Sequence, residues 1–253
     1  MDLISSIKTN FNLMKILVTG ATSGIGKVLV EKLIEDKENH VFGIGRDGSK
    51  LGSLIDEENF TFLPFDLNHV GDIEELFNSS MGGIKFKGFV HCAGIEETLP
   101  ISLYTPSRIQ SIFALNVFSA IEILRILSKK KYSEDSASFI LLSSVMGELG
   151  QAGKVGYCSS KAALLGVVNS LSLELAKREI RVNAISPGIV ETPLTQKLFQ
   201  QLDEENVNKI IGMHPIGIGK PDDVVSLINF LLSDNSRWIT GQNIKIDGGY
   251  SVQ

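Results

Sequence analysis

Seven short apolar runs alternate with stretches of helical periodicity along most of the chain, and this alternation restricts the fold more than any other feature. The runs are KILVT (15 to 19), HVFGI (40 to 44), FTFLPF (60 to 65), GFVHCA (88 to 93), SFILLS (138 to 143), IRVNAI (180 to 185) and NIKID (243 to 247). Bounded by turn residues, they read as buried strands. Between them, Ile25, Val28, Leu29 and Leu33 recur at helical spacing, as do Leu164, Val167, Val168, Leu171 and Leu175. Strand and helix in strict succession predict an α/β protein: a parallel seven-stranded sheet, right-handed crossovers and helices on both faces, doubly wound in a single domain.

The bulk composition agrees with one large core, since 43% of the 253 residues are hydrophobic and only 7 are proline. No repeat, low-complexity tract or linker divides the chain. Residues 15–253 are expected to form the domain, behind a loosely held extension over 1–14. The stretch from Pro187 to about Lys220 is longer than a routine connection and is expected to carry a lid around 188–220.

Charge excludes several functions. A net charge of -5 does not suit a protein that neutralises nucleic-acid phosphates or an anionic membrane. The one cationic run, Lys129 to Lys131, is short. The opening MDLISSIKTNFNL lacks the apolar core of a secretory signal, and no later segment approaches the roughly 20 apolar residues of a bilayer span, so a cytoplasmic protein without membrane contact is expected. Cys92 and Cys158 stand far apart without a CxxC and read as small buried fillers. His40, His69, His91 and His214 never fall at ligand spacing, and no metal is expected.

After the first strand comes TGATSGIG (19 to 26), then an amphipathic helix. A strand running into a glycine turn and a helix N-terminus suits a phosphate: glycine permits close backbone approach, and the first-turn N–H groups carry partial positive charge. Gly20, Gly24 and Gly26 are spaced GxxxGxG, unlike the GxGxxG fingerprint, and no GK[ST] follows. A tight strand-to-helix turn without a ligand is the plainer alternative. Arg46, after the second strand, falls where an adenosine ribose would be met; its guanidinium suits a 2'-phosphate and favours NADP(H) over NAD(H). Equally, Arg46 is a surface charge, and Ser23 supplies no second cation. Asp66, after the third strand, can accept from an adenine amino group or cap its own turn.

YCSSK (157 to 161) puts a phenol and an ammonium four residues apart on one helix face. Ser143 and Ser144 end the fifth run, and strand ends are where open α/β sheets bind ligands. Asn116, in the apolar helix segment FALNVFSA, needs a hydrogen-bond partner or a water.

Taken together, TGATSGIG, the Asn of ALNVF, SSVMG ahead of YxxxK, and VNAISPGIVETP resemble the short-chain dehydrogenase/reductase family, in order and over residues 15 to 250. The resemblance implies a Rossmann fold and a catalytic set in which Tyr157 is the acid/base, Lys161 binds the nicotinamide ribose and lowers the phenol's pKa, Ser144 holds the substrate oxygen, and Asn116 supports a water in a proton relay. Physically, an ammonium within roughly 4 to 6 Å favours a phenolate. The implied cofactor site comprises Gly20, Thr22, Ser23, Gly24, Ile25 and Gly26 in the glycine loop; Arg46, Asp66 and Leu67; Ala93 and Gly94; Tyr157 and Lys161; and Pro187, Gly188, Ile189 and Thr192, the last two near the carboxamide. HCAG (91 to 94) departs from the NNAG of many relatives, placing His91 where an Asn usually stands.

The stretch from SPGIVETPLT through HPIGIGKPDD to ITGQNIKIDGGY looks most like 3-oxoacyl-carrier-protein reductases, implying NADPH-dependent reduction of a small-molecule ketone beside an acyl chain. Those reductases often present a basic residue on the Tyr helix toward the acidic carrier, where this chain has Leu173. Glu96, Glu97 and Glu148 also follow strands whose ends border the site, which suits a sugar or polyol; as an alternative they are solvated loop charges. An NAD(P)-dependent sugar, polyol or sterol dehydrogenase, and a non-catalytic cofactor-binding regulator, are the competing readings. The intact Asn116, Ser144, Tyr157 and Lys161 set argues against the last. Family members are commonly homotetramers, with homodimers the alternative, through helices around 106 to 131 and 156 to 177 and the C-terminal strand.

Overall fold

Strand β1 (Met14–Thr19) lies in the middle of one sheet, between β2 (Asn39–Gly45) and β4 (Phe86–His91). The computed structural model describes residues 13–252. Most of the extension expected over 1–14 therefore lies outside the described residues, and Met14 already belongs to β1. With β3 (Phe60–Pro64), β5 (Ser133–Leu142), β6 (Arg181–Pro187) and β7 (Asn243–Ile246), the sheet has seven strands in the order β3-β2-β1-β4-β5-β6-β7, every pair parallel. The order reverses at β1, so the loops leaving β1 and β4 diverge and open a crevice at their C-terminal ends. Register aligns those ends: Thr19 is level with Ile44 and His91, and His91 with Leu141.

Alternation of side chains along each strand divides the core in two. Leu17, Phe42, Phe89, Phe139 and Leu141 point to one face, which is covered by α2 (Ile73–Ser80), α3 (Pro106–Leu127) and α4 (Val155–Glu174). Ile16, Val18, Val41, Ile140 and Leu142 point to the other, covered by α1 (Gly24–Leu33) and α7 (Pro221–Leu232). Seven apolar strands clothed on both sides are the arrangement that the alternating sequence predicts.

Three details differ from the sequence reading. The fourth strand covers residues 86–91 rather than 88–93, because Cys92 and Ala93 have already turned into the loop. Between Pro187 and Lys220 the chain forms two short helices, α5 (Pro193–Phe199) and α6 (Glu204–Gly212). Their starts carry ordinary caps: Thr192 accepts from Thr195 N with Pro193 in the first turn, and Asp203 accepts from Asn206 N. Finally, α3 is long and apolar enough by composition to cross a membrane, which the sequence reading denied of every segment after the N-terminus. It packs instead as a core helix, burying Ala120, Ile123, Leu124, Ile126 and Leu127 against the sheet. Its turn at Ala114–Phe118 is widened to π-helix, a local insertion that often marks a functional position.

Aromatic rings anchor the α2 side. Phe86 meets Phe42 edge-on at 5.4 Å and Phe77 at 6.3 Å, and Phe77 meets Tyr132 at 5.5 Å. Phe86 is fully buried, so Phe86→Ala should lower the urea-unfolding free energy by about 3–5 kcal/mol through lost burial and a residual cavity.

Candidate active site

The glycine loop is built on close backbone approach. Gly20 has φ +67°, and Gly26 packs so tightly that a Cβ there would stand 2.3 Å from the Gly20 carbonyl oxygen. Ser23, the N-cap of α1, leaves the first-turn N–H groups without a side-chain cap, so these donors face a cleft of 230 Å³. Gly20, Thr22, Ser23, Gly24, Ile25, Gly26, Arg46, Asp66, Leu67, Ala93, Gly94 and Thr192 all border it. Such a cradle fits a dinucleotide, with its phosphates at uncapped donors and Arg46 exposed at the far end. Asp66 caps its turn, its Oδ1 accepting from Asn68 N at 3.0 Å and Asn68 Nδ2 at 2.8 Å, and it also borders the cleft. Cap and cleft residue are thus the same side chain.

A second cavity of 460 Å³ adjoins the first, and Ile25, Cys92, Gly94, Leu142, Thr192 and Leu194 border both. Tyr157, Lys161, Ser144, Pro187, Gly188 and Ile189 line it. Residues from five separate loops and helices therefore meet at the ends of β1, β4, β5 and β6. Cys92, past the end of β4, is a cleft residue and only partly covered; Cys158 is partly covered as well, so neither is the fully buried filler that its type suggests.

Each catalytic candidate is held by a different element. The two serines ending β5 divide their work: Ser143 Oγ donates to the Lys161 carbonyl at 2.9 Å, tying strand to helix, whereas Ser144 Oγ accepts from Met146 N at 3.2 Å. That acceptance leaves the Ser144 O–H to donate to the Tyr157 oxygen at the cavity wall. Lys161 Nζ donates to the Leu142 carbonyl at 2.7 Å and lies 5.8 Å from the centre of the Tyr157 ring. Burial lowers the Lys161 ammonium to about 8.

Tyr157 runs opposite to the shift expected of its lysine neighbour. Burial raises the phenol above its ordinary value, the charge of Glu96 raises it further, and the hydrogen bond with Ser144 pulls back only in part. The cause is desolvation: burial of the ring outweighs the Ser144 hydrogen bond, and the same burial lowers Lys161, so its charge is lost before the phenol ionises.

Asn116 is fully buried and does not border the cavity. Its Oδ1 accepts from Ile95 N at 2.9 Å, and its Nδ2 donates to Ile95 O at 3.0 Å and to Ser160 Oγ at 3.0 Å. The amide clamps the loop after β4 to the helix that carries Tyr157 and Lys161.

The glutamates separate. Glu97 pairs with Arg108 and Glu148 with Lys245 and Asn243, both away from the cavity. Only Glu96 lines it, paired with Lys154. Lys154, Gln151, His214 and Tyr250 are cavity residues that sequence reasoning missed. Lys154 was within reach, three residues before Tyr157 at the N-cap of the same helix. His214 and Tyr250 stack at 4.8 Å across a long sequence separation, and His214 Nε2 accepts from Ile189 N at 3.2 Å. No local pattern signals that contact.

His91, in place of the usual Asn, bonds the Thr19 hydroxyl through Nδ1 at 2.9 Å, and the same hydroxyl accepts from Ala93 N at 3.2 Å. Among the described residues its Nε2 is a buried nitrogen without a hydrogen-bond partner. Burial first, then the Lys161 charge, lowers its pKa from 6.5 to about 3, against a weaker pull from the backbone of Asn116 and Leu115.

The fold and the cleft are those of a nucleotide-dependent oxidoreductase, and comparison with known proteins agrees. A family model described as enoyl-(acyl-carrier-protein) reductase matches residues 20–251. The 3-oxoacyl-[acyl-carrier-protein] reductase FabG of Rickettsia felis is 34% identical over 237 residues, covering 92% of this chain and 95% of its own. Among solved structures, a short chain dehydrogenase family protein from Francisella tularensis superposes with TM-score 0.87 at 32% identity, covering 95% of this chain and 100% of its own. A 4-hydroxyisoleucine dehydrogenase complexed with NADH gives 0.88 at 28%, covering 95% and 99%. The chain belongs to the short-chain dehydrogenase/reductase family of oxidoreductases.

The neutral His91 has a consequence for stability. Its folded pKa lies below the ordinary 6.5, so above 6.5 it costs nothing; as pH falls toward about 3 the unfolded chain gains a proton that the folded one refuses. Unfolding free energies measured in urea across pH 6.5 to 4 should therefore fall less steeply for His91→Asn, by up to about 1.4 kcal/mol per pH unit. Equal slopes would contradict a neutral buried imidazole.

Proposed function

We propose that the protein is an NADPH-dependent reductase of ketones, acting on a 3-oxoacyl thioester or a similar small carbonyl compound. The observation that carries this reading is the meeting of Tyr157, Ser144 and Lys161 in one cavity that opens directly into the glycine-loop cleft. When bound, the nicotinamide cofactor supplies the hydride. The chain's own part is to orient and to move a proton. Ser144 donates a hydrogen bond to the carbonyl oxygen as charge develops there, and Tyr157 gives that oxygen its proton. A phenol raised by burial is held protonated, which suits the reductive direction. Gly20, Gly24 and the first turn of α1 would hold the phosphates, Lys161 the nicotinamide ribose, and Ile189 and Thr192 the carboxamide side. The clamp at Asn116 keeps these parts in register; support of a relay water falls to this same residue in the proposal.

Arg46 supports the phosphorylated cofactor, since no acidic residue stands at that edge of the cleft to favour a free 2'-hydroxyl except Asp66, which is occupied with its own turn. Met146, Leu198, Ile210 and Met213 line the outer cavity and suit an acyl chain, with α5 and α6 acting as its lid. Leu173 is 79% exposed on the Tyr helix and offers no charge to an acidic carrier, so a thioester need not arrive on one. A sugar or polyol substrate draws support from Glu96 alone. A non-catalytic regulator would have no use for a complete proton-transfer set. A homotetramer, or a homodimer, would use the apolar groove between α3 and α4 at Ile121, Leu124, Val167 and Leu171. Two free thiols fit a reducing cytoplasm.

The decisive experiment is a kinetic screen of NADPH and NADH against acetoacetyl and enoyl thioesters, sugars and simple ketones. NADPH oxidation with the 3-oxo thioester is expected, and failure across all ketones would overturn the reading; faster reduction of the enoyl compound would move the assignment to carbon–carbon double bonds. Tyr157→Phe should lower kcat by about 10²- to 10⁴-fold with NADPH binding, followed by fluorescence, retained. Arg46→Ala should weaken NADPH binding about tenfold or more while leaving NADH nearly unchanged.

A further inference from the structure

Glu96 and Lys154 form an ion pair in the wall of the cavity that holds Tyr157. Their side chains are only 15% and 4% exposed. Burying two charges carries a desolvation cost that packing alone does not explain, because an apolar pair of similar volume often serves stability as well or better. Both members are rigidly placed. Asn116 clamps Ile95, next to Glu96, through its N–H and its carbonyl, and Leu99 N donates to Gly153 O at 2.8 Å beside Lys154. Lys154 Nζ lies 5.9 Å from the centre of the Tyr157 ring and Lys161 Nζ 5.8 Å, so two ammonium groups stand near the ring, one of them bound to a carboxylate.

We propose that Glu96 and Lys154 are positioning residues for the proton of Tyr157: the carboxylate adds to burial in holding the proton on the phenol, Lys154 limits how strongly it does so, and the pair thereby biases the site toward giving a proton to a ketone rather than taking one from an alcohol. The directional preference rests on the reading of Tyr157 as proton donor given above; the charge effect on the phenol does not.

The other groups around the phenol do not supply this effect. Ser144, from the end of β5, acts in the opposite sense, and Cys158 on the same helix acts only weakly in the same sense. Cys92 stands behind Lys161, and Tyr104 packs against Gly156 with its hydroxyl donated to the Glu97 carbonyl. His214 and Tyr250 border the far side of the cavity, where they stack on one another. Glu97 is bound to Arg108. Among the described residues, Glu96 is the cavity's one carboxylate.

The test is the ultraviolet difference titration of tyrosine ionisation, with Tyr157→Phe identifying the share of Tyr157 among the chain's 4 tyrosines. It needs neither cofactor nor substrate. The isosteric Glu96→Gln should move the Tyr157 share down by about one pH unit, and Lys154→Met should move it up, with Lys154→Arg close to wild type. If Lys154→Met does not fold, the double variant Glu96→Gln/Lys154→Met carries the test and should follow Glu96→Gln. The basic limb of the pH profile for ketone reduction should move in the same directions. An unmoved Tyr157 share in both single variants, or a change confined to the KM of charged ketones, overturns the proposal. Shifts in the titration without turnover of any ketone would uphold the charge effect and reject the reductase reading alone.

Discussion

The carboxamide of Asn116 joins the two parts of the molecule on which the chemistry depends. It sits fully buried in the widened turn of α3, takes the N–H and the carbonyl of Ile95 on one side, and reaches Ser160 on the other. Ser160 in turn donates to the Tyr157 carbonyl at 2.8 Å. One side chain thus fixes the loop carrying Gly94 and Glu96 relative to the helix carrying Tyr157 and Lys161. In a medium of low dielectric such a fully satisfied network is rigid, because each lost partner would leave a desolvated polar group. The amide is carried by the π turn at Ala114–Phe118, the kind of local insertion often found at functional sites.

Thr19 performs the corresponding task on the cofactor side. From the end of β1 its hydroxyl meets His91 and accepts from Ala93 N, at the point where strand order reverses and the crevice opens. The His91 imidazole makes one bond of this junction and, among the described residues, leaves its second nitrogen buried and without a hydrogen-bond partner. Burial first, and then the Lys161 ammonium nearby, keep the ring neutral. Local electrostatics in this cleft are set by desolvation as much as by neighbouring charge, and the raised phenol of Tyr157 has the same origin.

Much of this was legible before any coordinates. The seven apolar runs fall on the seven strands, because a strand covered on both faces has to be apolar at nearly every position. Errors came where that rule loses contrast. Cys92 and Ala93 continue an apolar-looking run past His91, where the strand ends, and the capped starts at Thr192–Pro193 and Asp203 open helices too short to show a clear period. The glycine loop, Ser144, Tyr157 and Lys161 were readable because their spacing along the chain is itself the motif. Lys154, His214 and Tyr250 act through partners distant in sequence: Glu96 for the first, and one another for the other two.

The order of residues along this chain decides that it forms a doubly wound parallel sheet, where the glycine turn falls, and which phenol and ammonium share a helix face, since each follows from local periodicity and steric freedom. Proton affinities and side-chain contacts are decided only by assembly. Whether Asn116 faces the cavity or clamps its wall, whether a glutamate is solvated or paired beside Tyr157, and whether a phenol four residues from a lysine is lowered or raised all depend on burial and on neighbours brought from other elements. Desolvation and Coulomb energies are properties of three-dimensional surroundings, which no stretch of sequence carries by itself.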